Sequence, residues 1–136
     1  MHPDSRVVYA DLFGKRYPLC MTVHAQDLFK KKFGSYSGWA EGLQNQEDET
    51  AAVNATVDLL DIMLQGGRAR VKALAWIAGE EPDLPPELDL EFLRQALSLS
   101  ELGDIQAKLF ETFTAGNKQT VEVAEDRSKN AETTQV

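Results

Sequence analysis

The spacing of apolar residues along this chain changes at residue 22, and that change limits what it can fold into. Before it, VVYADLF (7–13) and RYPLCM (16–21) alternate with the period of two that marks half-buried strands. Val8, Ala10 and Leu12 fall on one face of the first strand, and Tyr17, Leu19 and Met21 on one face of the second. Gly14-Lys15 between them fits a two-residue type II′ loop with glycine first. Pro18 cannot donate a ladder hydrogen bond, so the second strand lies at an edge or turns that amide position outward. A lone hairpin is marginal in water and must lean on helices or on another subunit.

Beyond residue 22 the period is helical. Thr22 is a suitable N-cap for a stripe of Ala25, Leu28, Phe29 and Phe33 that stops at Gly34. SYSGWAEGLQ (35–44) predicts a short second helix started by Ser35 or Ser37. Asp48 or Thr50 opens a stronger one, with Val53, Val57, Leu60 and Leu64 inward and Gly66-Gly67 as its stop. RARVKALAWIA (68–78) reads as a separate fourth helix with Val71, Leu74 and Ile77 or Ala78 inward, closed by Gly79. EEPDLPPELDLE (80–91) is a Pro-punctuated loop running into a helix start near Asp89, which carries Phe92, Leu93, Ala96 and Leu97. Ser98 and Glu101 have capping-box spacing before a last helix with Leu102, Ile105, Leu109 and Phe113 on one face, ending by Gly116. The remainder is polar and lacks aromatics, too little to offset chain entropy. The expected fold is mainly α: a short N-terminal β-hairpin, then a bundle of about five to six helices (one domain, 1–115), then a flexible polar tail (116–136).

Composition narrows the function. At 136 residues there is room for one modest domain, and 43% hydrophobic residues supply its core. A net charge of -8 argues against nucleic acid or an anionic membrane as the main partner. One cysteine makes no internal disulfide. MHPDSRVVYADLF lacks the apolar core of a signal peptide, and no run of about 18 apolar residues occurs. The expectation is a cytoplasmic protein.

Candidate chemistry is thin. Cys20 and His24, at a strand end and a helix start, could approach each other as a thiol–imidazole pair, but no third group orients them and no oxyanion site is indicated. One cysteine and two histidines do not make a zinc set. Lys30, Lys31 and Lys32 occupy a last helical turn, where cations oppose the negative end of the helix dipole. Gly66-Gly67-Arg68 has the glycines of a phosphate loop without its GK[ST] element or its preceding strand. Asp58 and Asp61 read as solvated surface, and Trp39 and Trp76 as core. No enzyme activity and no cofactor is expected.

Charge is unevenly spread. Residues 1–35 hold six basic side chains (Arg6, Lys15, Arg16, Lys30, Lys31, Lys32) against three acidic ones, whereas 80–91 holds six acidic and none basic. Opposite patches favour head-to-tail self-association or electrostatic steering of a partner. Alternatively, the acidic run simply solvates a loop and supplies negative charge to a helix N-terminus.

The ordered set of motifs resembles a family. A Gly-Lys hairpin, YPLC (17–20), a helix ending in KFGS (32–35), LLDIMLQGG (59–67), an acidic Pro-containing loop and a capped last helix (98–113) before a polar tail are similar to the tail assembly chaperones of long-tailed bacteriophages and prophages. The type found in prophages of Gram-positive bacteria is the nearest. Trp39 and Trp76 are not family signatures.

The resemblance implies a small helical protein of the host cytoplasm, absent from the mature virion. Such a protein binds and solubilises the tape measure protein until the tail tube forms around it. The tail tube protein is a second candidate partner, homo-oligomers are compatible, and nucleic acid and membrane are not partners. A helix-in-groove site fits that role. It is expected between the first helix (Leu28, Phe29) and the last (Leu109, Phe110, Phe113), with Lys30, Lys31 and Lys32 on its rim. The rival readings are a structural protein of the head–tail connector and a helical peptide-binding adaptor.

Overall fold

In a computed structural model of the chain, residues 4–44 and 49–116 are described. The hairpin pairs β1 (Val8–Leu12) with β2 (Lys15–Leu19), antiparallel, in register Val8↔Leu19, Ala10↔Tyr17 and Leu12↔Lys15. Among the described residues five α-helices follow: α1 (Val23–Phe33), α2 (Tyr36–Leu43), α3 (Glu49–Ala78), α4 (Leu90–Ala96) and α5 (Leu102–Gly116). A 3₁₀ turn, Leu99–Glu101, leads into α5. The architecture is the mainly α one expected from the sequence. The tail expected from 116 on lies, after Gly116, outside the described residues, and so does Asp48.

The turn differs from the type II′ loop at Gly14-Lys15. The loop residues are Phe13 and Gly14, with φ of 54° and 77°, which is the two-positive-φ pattern of a type I′ turn. A left-handed phenylalanine is strained. The cross-strand pairs explain why this register wins: Asp11 faces Arg16, and small Ala10 faces large Tyr17. Phe13 also gains an edge-to-face contact with Phe92, centroids 5.5 Å apart.

The caps of α1 and α2 are those the sequence suggested. Thr22 Oγ1 accepts from the Ala25 amide at 3.1 Å and Ser35 Oγ from the Gly38 amide at 3.0 Å. Gly34, at φ 78°, ends α1. At the start of the last helical segment, the Glu101 carboxylate accepts from both the amide and the hydroxyl of Ser98, at 3.1 and 2.8 Å.

Helix α3 is the centre of the fold, touching β2, α1, α2, α4 and α5. Its 30 residues span about 45 Å. From Ala55 to Gly67 it is buried on nearly every side, with Thr56 and Asp58 the polar groups taken into the interior. Gly66-Gly67, expected to stop it, does not, so the two helices expected at 50–66 and 68–78 are one. The reason is β2. Any Cβ at Gly66 would collide with the carbonyl oxygen of Cys20, and any at Gly67 with that of Pro18. The glycines let a strand edge lie directly against helix backbone, and the Cys20 amide donates to the Met63 carbonyl at 3.1 Å. Pro18 brings no amide that the covering helix would strand. A glycine pair usually weakens a helix by about 1 kcal/mol per residue relative to alanine; here tertiary packing offsets that.

The core joins Leu12, Tyr17 and Leu19 of the hairpin to Ala25, Phe29, Trp39, Leu59, Leu60, Met63, Leu93, Ile105, Leu109 and Phe113. Among the described residues the buried polar side-chain atoms are paired except Arg68 Nε. The indole Nε1 of Trp39 donates to the Ala55 carbonyl at 3.1 Å, and Thr56 Oγ1 donates to Ala52 O while accepting from Gln106 Nε2.

Candidate interaction surface

The residues chosen from sequence separate into core, ion cluster and surface. Phe29, Leu109 and Phe113 are buried, and the Phe29 and Phe113 rings meet edge to face at 5.2 Å. Leu28 packs partly buried against the same core. The groove expected between the first and last helices is therefore filled by its own lining, because aromatic rings at this spacing bury most area by packing on each other. Of the apolar members only Phe110 is exposed, at the rim of a cluster with Trp39, Phe113 and Tyr36.

Lys30 is exposed, and the other two lysines make ion pairs. Lys31 pairs with Asp27 one turn earlier, and Lys32 reaches Asp58 at 3.6 Å. Asp58, expected on the surface, is buried. Its Oδ1 accepts from Arg94 Nη2 at 2.7 Å, and Arg94 Nη1 donates to Asn54 Oδ1 at 2.6 Å. This cluster ties α1 and α4 to α3. Asp61, one turn on, has its pKa raised by burial and by the nearby carboxylates of Asp58 and Asp89, against a hydrogen bond from Gln65 and the charge of Lys32.

Cys20 and His24 form no pair. Cys20 is buried and its thiol pKa is pushed up by burial, which disfavours the thiolate a nucleophile needs, whereas His24 is exposed. Among the described residues no three His, Cys, Asp or Glu side chains converge as metal ligands, and no helix is long and apolar enough to cross a membrane. Arg68, proposed for nothing by the sequence, pins the acidic loop: its Nη1 donates to Pro85 O at 2.9 Å while Tyr17 Oη donates to Pro86 O at 2.7 Å. Beneath that loop a cavity of about 30 Å³ is lined by Tyr17, Leu64, Arg68 and Leu88 among others. It is far below the size of a small-molecule site.

What stands out instead is the end of α3. Beyond Gly67 the helix leaves the core, and of its last residues only Ala75 is buried. Trp76 is 82% exposed and Ile77 76%, with Leu74 partly open one turn back. The expectation that Trp76, Leu74 and Ile77 are core is thereby corrected; Trp39 is the buried tryptophan. The phase of the stripe shifted because the helix is continuous and rotates past the hairpin without restarting. One signal was present in the sequence. ALAWIA (73–78) has no polar face at all, and such a helix end is either buried or covered by something else.

The same end carries uncompensated negative charge. Gly79, at φ 71°, closes α3 with Gly79 N to Trp76 O at 3.2 Å and Glu80 N to Ala75 O at 2.8 Å, a Schellman pattern. No basic residue lies in the last turn. Glu80, Glu81 and Asp83 follow at once, all exposed, where the helix dipole is already negative.

Comparison with protein-family models, curated proteins and solved structures finds no match for this chain.

Proposed function

We propose that this chain is a tail assembly chaperone of a long-tailed bacteriophage or prophage, acting without enzymatic chemistry. It binds and solubilises the tape measure protein in the host cytoplasm until the tail tube assembles, and it is left out of the virion. The ordered motifs from YPLC to the capped last helix supply the family reading. The observation that carries the binding role is the exposed apolar end of α3, Leu74, Trp76 and Ile77. An amphipathic helix lacking its final partner exposes apolar surface and aggregates; a preformed apolar helix face covers it reversibly. The surface differs from the groove expected between α1 and α5, whose Phe29 and Phe113 are committed to the core.

Co-expression with the tape measure protein of the same genome tests the role. The expected result is a soluble tape measure protein that co-purifies with this chain, and loss of both when Trp76 and Ile77 are replaced by serine. A tape measure protein equally soluble without the chain, and never co-purifying, refutes the assignment. Detection of the chain in purified virions would favour the head–tail connector reading instead.

A further inference from the structure

From the end of α3 we infer that the segment docking there is an amphipathic helix whose apolar stripe is flanked by basic residues. This rests on the binding role proposed above for Trp76 and Ile77, and it specifies the chemistry of the occupant. Two independent features agree. The first is the exposed apolar pair itself, next to Leu74 on a rigid helix. The second is charge: α3 ends with no cation in its last turn, and from Ala73 to Leu93 the chain has six carboxylates and no basic residue. Negative side chains at the negative end of a helix dipole break the usual local rule, and an incoming cation would satisfy both the dipole and the carboxylates.

The acidic residues are held in place. The Schellman closure fixes Glu80 directly behind Ala75, and the loop then runs back along α3 under the two carbonyl bonds from Arg68 and Tyr17. Glu80, Glu81 and Asp83 therefore stay beside the helix end. A second copy of this chain is the poorer occupant. Two copies meeting through this same surface would oppose carboxylate to carboxylate, and each carries a net charge of -8.

The two tryptophans give the test its own control. Trp39 is fully buried, so its emission is fixed, while Trp76 reports on whatever covers it. The full chain is titrated with two synthetic helical peptides sharing one leucine face, one flanked by lysines and the other by glutamates. The lysine peptide is expected to shift the emission to the blue, and the glutamate peptide to leave it unchanged. Trp76→Phe should abolish the shift. Replacing Glu80, Glu81 and Asp83 by their amides should weaken the lysine peptide about tenfold, with a loss of salt dependence.

Equal response to both peptides, or none to either, overturns the inference. A blue shift that grows with protein concentration alone overturns it in favour of self-association. The chaperone reading stands or falls separately. If tape measure protein co-purifies through Trp76 while neither peptide binds, only the charge inference is lost. If the lysine peptide binds and the tape measure protein does not, only the chaperone assignment is.

Discussion

Gly67 of α3 lies against the carbonyl of Pro18 so closely that the space holds no side chain at all. Gly66 stands in the same relation to Cys20 one residue along. Alanine at either position would raise helix propensity by about 1 kcal/mol but force strand and helix apart, an overpacking cost of about 1–3 kcal/mol or more. Both variants should unfold at lower urea concentration than the wild type. Gly103→Ala is the opposite case: it is exposed on α5, with open space around a built Cβ, and should gain about 0.5–1 kcal/mol. An unchanged midpoint for Gly67→Ala would contradict the packing of β2 on α3.

The Asp58–Arg94 pair predicts an unequal pair of losses. Arg94→Leu leaves a buried carboxylate with only Lys32 at 3.6 Å, and should cost about 1–3 kcal/mol. Lys32→Met should cost less, because that lysine is half exposed and farther from the carboxylate. Equilibrium unfolding of the two variants and of the double variant checks the order; a larger loss for Lys32→Met would reverse the assignment of which cation holds Asp58.

Asp61 gives a pH dependence of opposite sign to that of a salt-bridged carboxylate. Its pKa is raised by burial and by Asp58 and Asp89, so the folded state holds the proton more tightly than the unfolded chain. By linkage, stability falls as pH rises from the ordinary carboxylate value to the raised one, and the deficit persists above it. Asp61→Asn keeps an acceptor for Gln65 and removes the charge. It should melt above the wild type at neutral pH, with the gap closing as pH falls below the usual aspartate range. A gap that widens on acidification would exclude this account. Asp4 behaves the other way. Burial, the largest single influence, would raise its pKa, but the hydrogen bonds from Arg70 and the Arg6 amide and the charges of both arginines together outweigh it and lower the pKa, so its contribution is lost as pH falls through that lowered value.

The two tryptophans should separate stability from binding. Trp39→Phe removes the Nε1 bond to Ala55 and leaves a void, a loss of about 1–3 kcal/mol. Trp76→Ala removes only exposed surface and should stay within about 0.5 kcal/mol of the wild type. Thermal melts of both, read beside tape measure co-purification, would show Trp39→Phe changing the first and Trp76→Ala the second.

Local signals were the legible ones. The cap at Thr22, the helix starts at Ser35 or Ser37 and near Asp89, the stop at Gly34 and the stripe Leu102–Ile105–Leu109–Phe113 depend on residues within a turn or two of each other, and the structure has each of them, with Ser35 and Asp89 as N-caps. Non-local packing was not legible. Gly66-Gly67 has the same local chemistry whether it ends a helix or admits a strand, and only Pro18 and Cys20, far away in sequence, decide between the two. Asp58 was read as surface because its partner Arg94 comes from another helix. Reading 68–78 as a new helix turns Leu74 and Ile77 inward, whereas Trp76 reads as core only through the general tendency of a large aromatic beside apolar neighbours; both expectations miss what lies around the helix end. The candidate surface was visible only as an unexplained apolar run followed by acid.

The glycine window in α3 also bears on the order in which the chain acquires its structure. Pro18 and Gly67 are roughly fifty residues apart, so closing that contact carries a loop entropy that the hairpin cannot meet from its own few ladder bonds. The strands should therefore be unprotected against hydrogen exchange until α3 exists to receive them. The helical segments, rich in local contacts, can form first. In a chain emerging from the ribosome, the hairpin is made before α3 and secured only after residue 67 has appeared.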